Sequence, residues 1–496
     1  MPQSVTQPLT PRDALSKLLE SLPRRYRVPA YDGAALTALA AARTDANPAA
    51  VLAITIEQAC QIKAADGVPG AELQARFIGA LEQLLREAMR PHAGDPVFQA
   101  MVLRHHAPQV REFASLRAHA ARDRRELLAA INALAHPGKQ QRLPAGPWRT
   151  ALARLHEAGL AALQTPLTSW PQLADAIRVA LTLPEVAADR ATATTLQQLL
   201  ESAAGARLRR LDALSLDSDV RHYQTLWDRI GPRSGSPRAI AQGAASHRRG
   251  AAVEARTQQA LEALARRLEA TQPGGFCYRV VTSMRVPAAI PAATDHAKTE
   301  WDAVLLCRPR REGGAATPHS PVPGEDPANA ALPWDVCLLV EAKACADAAA
   351  TDLPRLLRGL QVLARADVAT NYRFSTHQGE VVLRGASLCG LRADAQGVAQ
   401  TVLYCCDAPP EDRPRLLGAA SRMQLLSAPA SLAFASALAQ GHAADAGVLQ
   451  DVWQQLLDSP QWAPVLQQYA ALRQGRAMMV SVDDLLAVGL HAGGHG

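Results

Sequence analysis

One stretch constrains the chain more than any other: Trp334 to Ala344, WDVCLLVEAKA. It is a short apolar run without proline or glycine, which reads as a buried β-strand, and it ends in Glu-Ala-Lys. Strand side chains alternate between faces, so Glu341 and Lys343 point the same way. An acid and a base at the end of a buried strand are costly to desolvate unless something pairs or uses them. Upstream, TEWDAVLLCR reads as a second strand, with Asp302 at its start in phase with Val304 and Leu306.

The rest of the sequence gives these strands a setting. The 496 residues, 48% of them hydrophobic, suffice for two or three domains with a core each. Alanine and leucine dominate and aromatics are only 4%, which favours helices over most of the length. The net charge of +6 is compatible with a nucleic-acid partner without requiring one. The cysteines stand singly apart from Cys405 and Cys406, and none has zinc-site spacing. Cys307, Cys337 and Cys405 lie in apolar runs and read as reduced core thiols, as does Cys345. The opening MPQSVTQPLTPRD lacks the apolar stretch of a secretory signal, and no run approaches the ~18 apolar residues of a membrane span. A soluble, cytoplasmic protein with no membrane partner is the expectation.

Residues 1–230 read as a helical domain. TPRDALSKLLESL opens it with Thr10 as N-cap and Pro11 at the first helical position. His105 and His106 are adjacent on a helix and diverge, so they read as surface residues rather than ligands of one ion. Residues 231–249, rich in Gly, Ser and Pro with basic residues among them, read either as a solvated linker or as a mobile basic loop able to grip backbone phosphates. A helix from Ala251 to Glu269 follows, then strands at Phe276–Val286, Trp301–Arg308 and Trp334–Ala344. Next come a helix capped by Thr351 or Asp352 and strands in GEVVLRGASLCGL and AQTVLYCCDA. Residues 309–333 read as an exposed loop. The expected fold class is a multidomain α+β protein: an all-α N-terminal domain, an α-β-β-β-α-β domain over residues 250–425, and C-terminal helices over 426–496.

Phosphodiester hydrolysis needs an activated water, neutralised phosphoryl oxygens and help for the leaving oxygen. Mg²⁺ or Mn²⁺ bound by carboxylates can supply much of this. Asp302 and Glu341, on adjacent strands, offer two such ligands, and the Ala342 carbonyl a third. Glu254, on the preceding helix, would bind a second ion or its water. Lys343 would orient the attacking water or stabilise the transition state. Gln361, one step off the apolar stripe of the following helix, would touch water or phosphate. The structural alternative for Glu-x-Lys is a cross-strand ion pair.

Together these residues resemble the PD-(D/E)xK nuclease superfamily over residues 246–410, through Glu254, Asp302, Glu341, Lys343 and Gln361. Trp301 stands where the family places its proline, and the loop between the two strands is long. The resemblance implies a restriction-endonuclease-like domain in which Asp302 and Glu341 bind Mg²⁺ and Lys343 is catalytic. It implies a nuclease acting on nucleic acid, DNA foremost, in restriction, repair or phage defence. The helical half is left for nucleic acid, a homodimer or a protein partner. The alternatives are a nuclease-like module that binds without cutting and a helical scaffold.

Overall fold

A computed structural model of the chain describes residues 10–28, 47–164, 166–232, 235–271, 275–291, 296–310, 332–411 and 415–490. Most of the loop expected at 309–333 lies outside them. The chain forms two compact units: residues 1–81, 234–424 and 453–496 in one, and 82–233 with 425–452 in the other.

The first unit is built on a seven-stranded mixed sheet: β1 (Phe276–Arg285), β2 (Glu300–Pro309), β3 (Asp335–Lys343), β4 (Asn371–Thr376), β5 (Gly379–Arg384), β6 (Val402–Cys406) and β7 (Met479–Ser481). The spatial order is β5-β4-β1-β2-β3-β6-β7. Strands β1, β2 and β3 run antiparallel, whereas β3, β6 and β7 are parallel. The three expected strands are present. The hairpin β4–β5 and the short β7 were not foreseen in full, and GASLC within the expected later strand is helical.

Four helices position the sheet: α1 (Pro11–Glu20), α2 (Pro237–Thr271), α3 (Ala348–Leu363) and α4 (Val482–Leu490). Helix α1 starts as its sequence dictates, the Thr10 hydroxyl accepting from the Asp13 N–H at 3.2 Å. Leu15 and Leu19 of α1, Val253, Leu261 and Leu264 of α2, and Leu485 of α4 share one core with Leu305, Leu338, Val340 and Leu403 of the sheet. On the opposite face, Leu353, Leu356 and Leu360 of α3 pack with Val304, Leu306, Leu339 and Tyr404. Helices thus cover both faces, which explains why β3 and β6 are apolar on both sides.

The boundaries differ from those read in the sequence. Arg25 pairs with Asp484 at 2.6 Å, and the Tyr26 hydroxyl donates to the Ala408 carbonyl at 2.5 Å, so the N-terminal segment belongs to the sheet unit. Amphipathic stripes show that a helix buries a face; they do not say against which core. The expected linker is also mostly helix. Ser236 Oγ accepts from the Ala239 N–H at 3.2 Å and Pro237 opens α2, which runs unbroken for 35 residues. The Ser-Pro pair is a helix-start signal that the surrounding glycines obscured.

The described residues of the second unit are helical, and one of its cores includes Phe113, Leu127, Ile131, Leu155, Leu196 and Leu208. Arg207 grips the buried Asp123 with two bonds, of 2.9 and 2.6 Å. His105 meets Ser436 Oγ, and His106 the Val102 carbonyl, so the two rings diverge as expected. No described helix is long and apolar enough to cross a membrane.

Candidate active site

The site lies where β2 and β3 part. Their pairing ends at Ala303 and Val340, while β3 continues beside β6 as far as Lys343 and Cys406. At the fork the Asp302 carboxylate takes over as acceptor for the Ala342 N–H, at 2.9 Å. Ala342, expected to offer its carbonyl, is thus engaged through its amide.

Asp302 is not in simple phase with Val304. Trp301 and Val304, three residues apart, enter the same core, so the alternation slips between them. On β1, between the pairs Thr282–Ala303 and Met284–Trp301, Ser283 adopts a left-handed backbone with φ of +50°. An L-residue there is uncommon and locally strained. The slip turns Asp302 into the fork, and Trp301, where the resembled family has proline, is fully buried.

Glu341 is completely buried. Its Oε2 receives two ammonium groups, Lys298 at 2.8 Å and Lys343 at 3.1 Å. Lys343 also pairs with Asp352 of α3 at 3.1 Å, and Lys298 lies 4.0 Å from Asp302. Tyr404, opposite Glu341 on β6, contacts Asp352 with its hydroxyl, and its ring lies 5.9 Å from the Lys343 ammonium. Three carboxylates and two ammoniums therefore interleave at the C-terminal end of β3.

Burial raises the Glu341 pKa to about 7, with Asp302 adding to the rise and Lys298 and Lys343 opposing it. For Lys343, burial pulls downward, but Glu341, Asp352 and Asp302 together outweigh it and leave the pKa above its ordinary value. Glu254 is an exposed carboxylate at the rim. Desolvation raises its pKa, followed by the charge of Asp302, while His247 and His377 act in the opposite sense.

Of the expected residues, Asp302, Glu341 and Lys343 come together, whereas Glu254 is linked to them only through the charge of Asp302 acting on its carboxyl. Gln361 is exposed and joins none of these contacts. At about 100° per residue, the nine positions from Asp352 to Gln361 place it on the opposite side of α3. Asp352, expected as a cap, lies inside the helix and orients Lys343. Cys345 is exposed, because β3 ends at Lys343 and the chain bends away. Lys298 and Tyr404 escaped the sequence reading. Lys298 precedes β2 in an irregular stretch with no periodicity to assign it; Tyr404 looked like one more apolar residue of β6.

Two observations bear on a hard cation. Asp302 and Glu341 converge on one ammonium, so positive charge is already held between them, and Glu341 Oε1 is buried with no hydrogen-bond partner. The donors are all oxygens, which suits Mg²⁺ or Mn²⁺. Among the described residues, no set of three or more His, Cys, Asp and Glu converges as an ion cage. Two carboxylates completed by water and substrate phosphate are a common arrangement for Mg²⁺. The residues fit such an ion with Lys298 displaced.

No protein-family model matches the chain, and neither a curated protein nor a solved structure matches it.

Proposed function

We propose that this protein is a metal-dependent nuclease with a restriction-endonuclease-like domain and that the β2–β3 fork is its active site. The observation that carries this reading is the fully buried Glu341, held by Lys298 and Lys343 next to Asp302, with one carboxylate oxygen left without a partner. A charge cluster maintained purely for stability is a poor use of a buried position, since well-packed apolar residues commonly do as well or better.

When bound by Asp302 and Glu341, Mg²⁺ supplies charge neutralisation on the phosphoryl oxygens and a more acidic water. Lys343 has a raised pKa and three donors, so it acts as a fixed cation toward the phosphate or the attacking water, not as a general base. Asp352 holds Lys343 from the far side and keeps the ammonium aimed along the strand end. Glu254, on α2, feels the charge of Asp302 and takes a supporting part.

A second reading has an observation of its own. Both ammoniums already satisfy Glu341 Oε2, so the cluster can stand as a closed ion network in a module that binds nucleic acid without cutting it. Incubation of the purified protein with plasmid DNA and with RNA, with Mg²⁺ or Mn²⁺ and then EDTA, separates the two. Metal-dependent cutting that is lost in Asp302→Ala and Lys343→Ala supports the nuclease. Retention of nucleic acid with no cutting supports the binding module.

A further inference from the structure

Helix α2 is longer than the sheet needs. From Val253 onward its apolar residues are buried, but from Pro237 to Ala252 nearly every residue is exposed. At ~1.5 Å per residue, that exposed arm extends roughly 24 Å. It approaches the site, because Arg249 donates to the Ala344 carbonyl at 3.1 Å, one residue beyond Lys343.

The arm has a distinctive composition. It contains no carboxylate, and Arg238 and Arg248 have no acidic partner among the described residues. Some arginines elsewhere in the same unit are paired, as in Arg25–Asp484, Arg256–Asp483 and Arg384–Asp335. At about 100° per residue, the sheet-facing side of α2, set by Val253, Leu261 and Leu264, continues along the arm as Ala239, Gly243, Ser246 and Gly250. That inner face carries small side chains and Gln242. A Cβ placed on Gly243 or Gly250 would meet nothing within 4 Å, so the space in front of it is open. Arg238 and Arg249 flank this face on one side, while Arg248 points outward. Ile240, the exposed large apolar residue of the arm, flanks the same face on the other side.

We infer that the arm is a phosphate-backbone guide: a nucleic-acid strand lies along its inner face, with Arg238 and Arg249 against the phosphates, and is led to Lys343. This inference deepens the nuclease reading and rests on it. An open face on an arm that carries arginines and no carboxylate is complementary to a polyanion.

The test is fluorescence anisotropy with labelled DNA and RNA oligonucleotides in EDTA, over a range of salt. Arg238→Ala should make log K against log salt shallower by about 0.9 for duplex DNA or about 0.7 for a single strand. Arg248→Ala, on the outer face, should leave the slope unchanged. Gly243→Leu, which favours the helix and whose Cβ meets nothing within 4 Å, should leave Tm unchanged or higher while weakening binding at least tenfold. Unaltered binding by Arg238→Ala and Gly243→Leu would overturn the inference. So would self-association abolished by Gly243→Leu with nucleic-acid binding intact, which would make a second copy the occupant. Mn²⁺-dependent hydrolysis of bis(p-nitrophenyl) phosphate should persist in Arg248→Ala, whose side chain lies outside the proposed path. Its absence from the wild type as well would sink the nuclease reading; its presence with normal binding by the variants sinks the arm alone.

Discussion

Lys298→Met is the most informative perturbation of the cluster. Glu341 has a folded pKa of about 7 against an ordinary 4.5, a gap worth about 3 kcal/mol. The folded protein thus holds this proton more tightly than the unfolded chain does. The cost of the buried charge is absent below pH 4.5 and is fully present above about 7, so this group lowers stability as pH rises through that window. Lys298, at 2.8 Å, is the closer of the two ammoniums that limit the cost. Replacing it with an apolar side chain leaves Glu341 with Lys343 alone and moves its pKa higher. At pH 8 the loss should be about 3–5 kcal/mol, as for other broken buried ion pairs. At pH 5.5 Glu341 is already neutral, and only a hydrogen bond worth about 1 kcal/mol disappears. Hydrogen exchange of the β3 amides, corrected for intrinsic rates at each pH, measures both values locally. Equal losses at the two pH values would refute the reasoning, because they would show that Lys298 supports the fold by packing and not by facing a titrating Glu341.

Other expectations follow from individual contacts. Gly359→Ala should destabilise the sheet unit by about 1–3 kcal/mol and disturb Lys298, since a Cβ there would lie 2.8 Å from Lys298 Cβ and 3.0 Å from its carbonyl; thermal melts check the first effect and metal-dependent cutting the second. Asp123→Ala should cost about 1–3 kcal/mol in the helical unit by removing both bonds from Arg207, read by urea unfolding. Arg207 holds the Asp123 pKa below its ordinary value, so that contribution should be present above pH 3.8 and fade as pH falls further. Glu254→Gln should lower the cutting rate less than Asp302→Ala does, because Glu254 stands at the exposed rim; comparable losses would place it among the groups that hold the ion.

Much of the site was legible because strand periodicity is short and strict. WDVCLLVEAKA could hardly be anything but a buried strand, and its period of two put Glu341 and Lys343 on one side. The limits lie where geometry departs from periodicity. The left-handed Ser283 and the slip at Asp302 are properties of two strands together, invisible in either alone. Lys298 sits in irregular chain, so nothing local marks it as the third member of the charge cluster. Gln361 was placed one step off an apolar stripe, which did not reveal that it lies half a turn from Asp352. The linker was misjudged because Gly243 and Gly250 weigh against a helix by about 1 kcal/mol each, a deficit that the Ser236 cap, Pro237 and the alanines offset. The domain limits were misjudged because apolar stripes at residues 10–28 are silent about which core they enter.

The central claim is that Asp302 and Glu341 together hold a divalent ion at the β2–β3 fork. Anomalous diffraction from crystals soaked in Mn²⁺ tests it directly. A peak within bonding distance of both carboxylates is expected, with the Lys298 ammonium displaced from Glu341. No peak at saturating Mn²⁺, with Lys298 still bonded to Glu341, would contradict it.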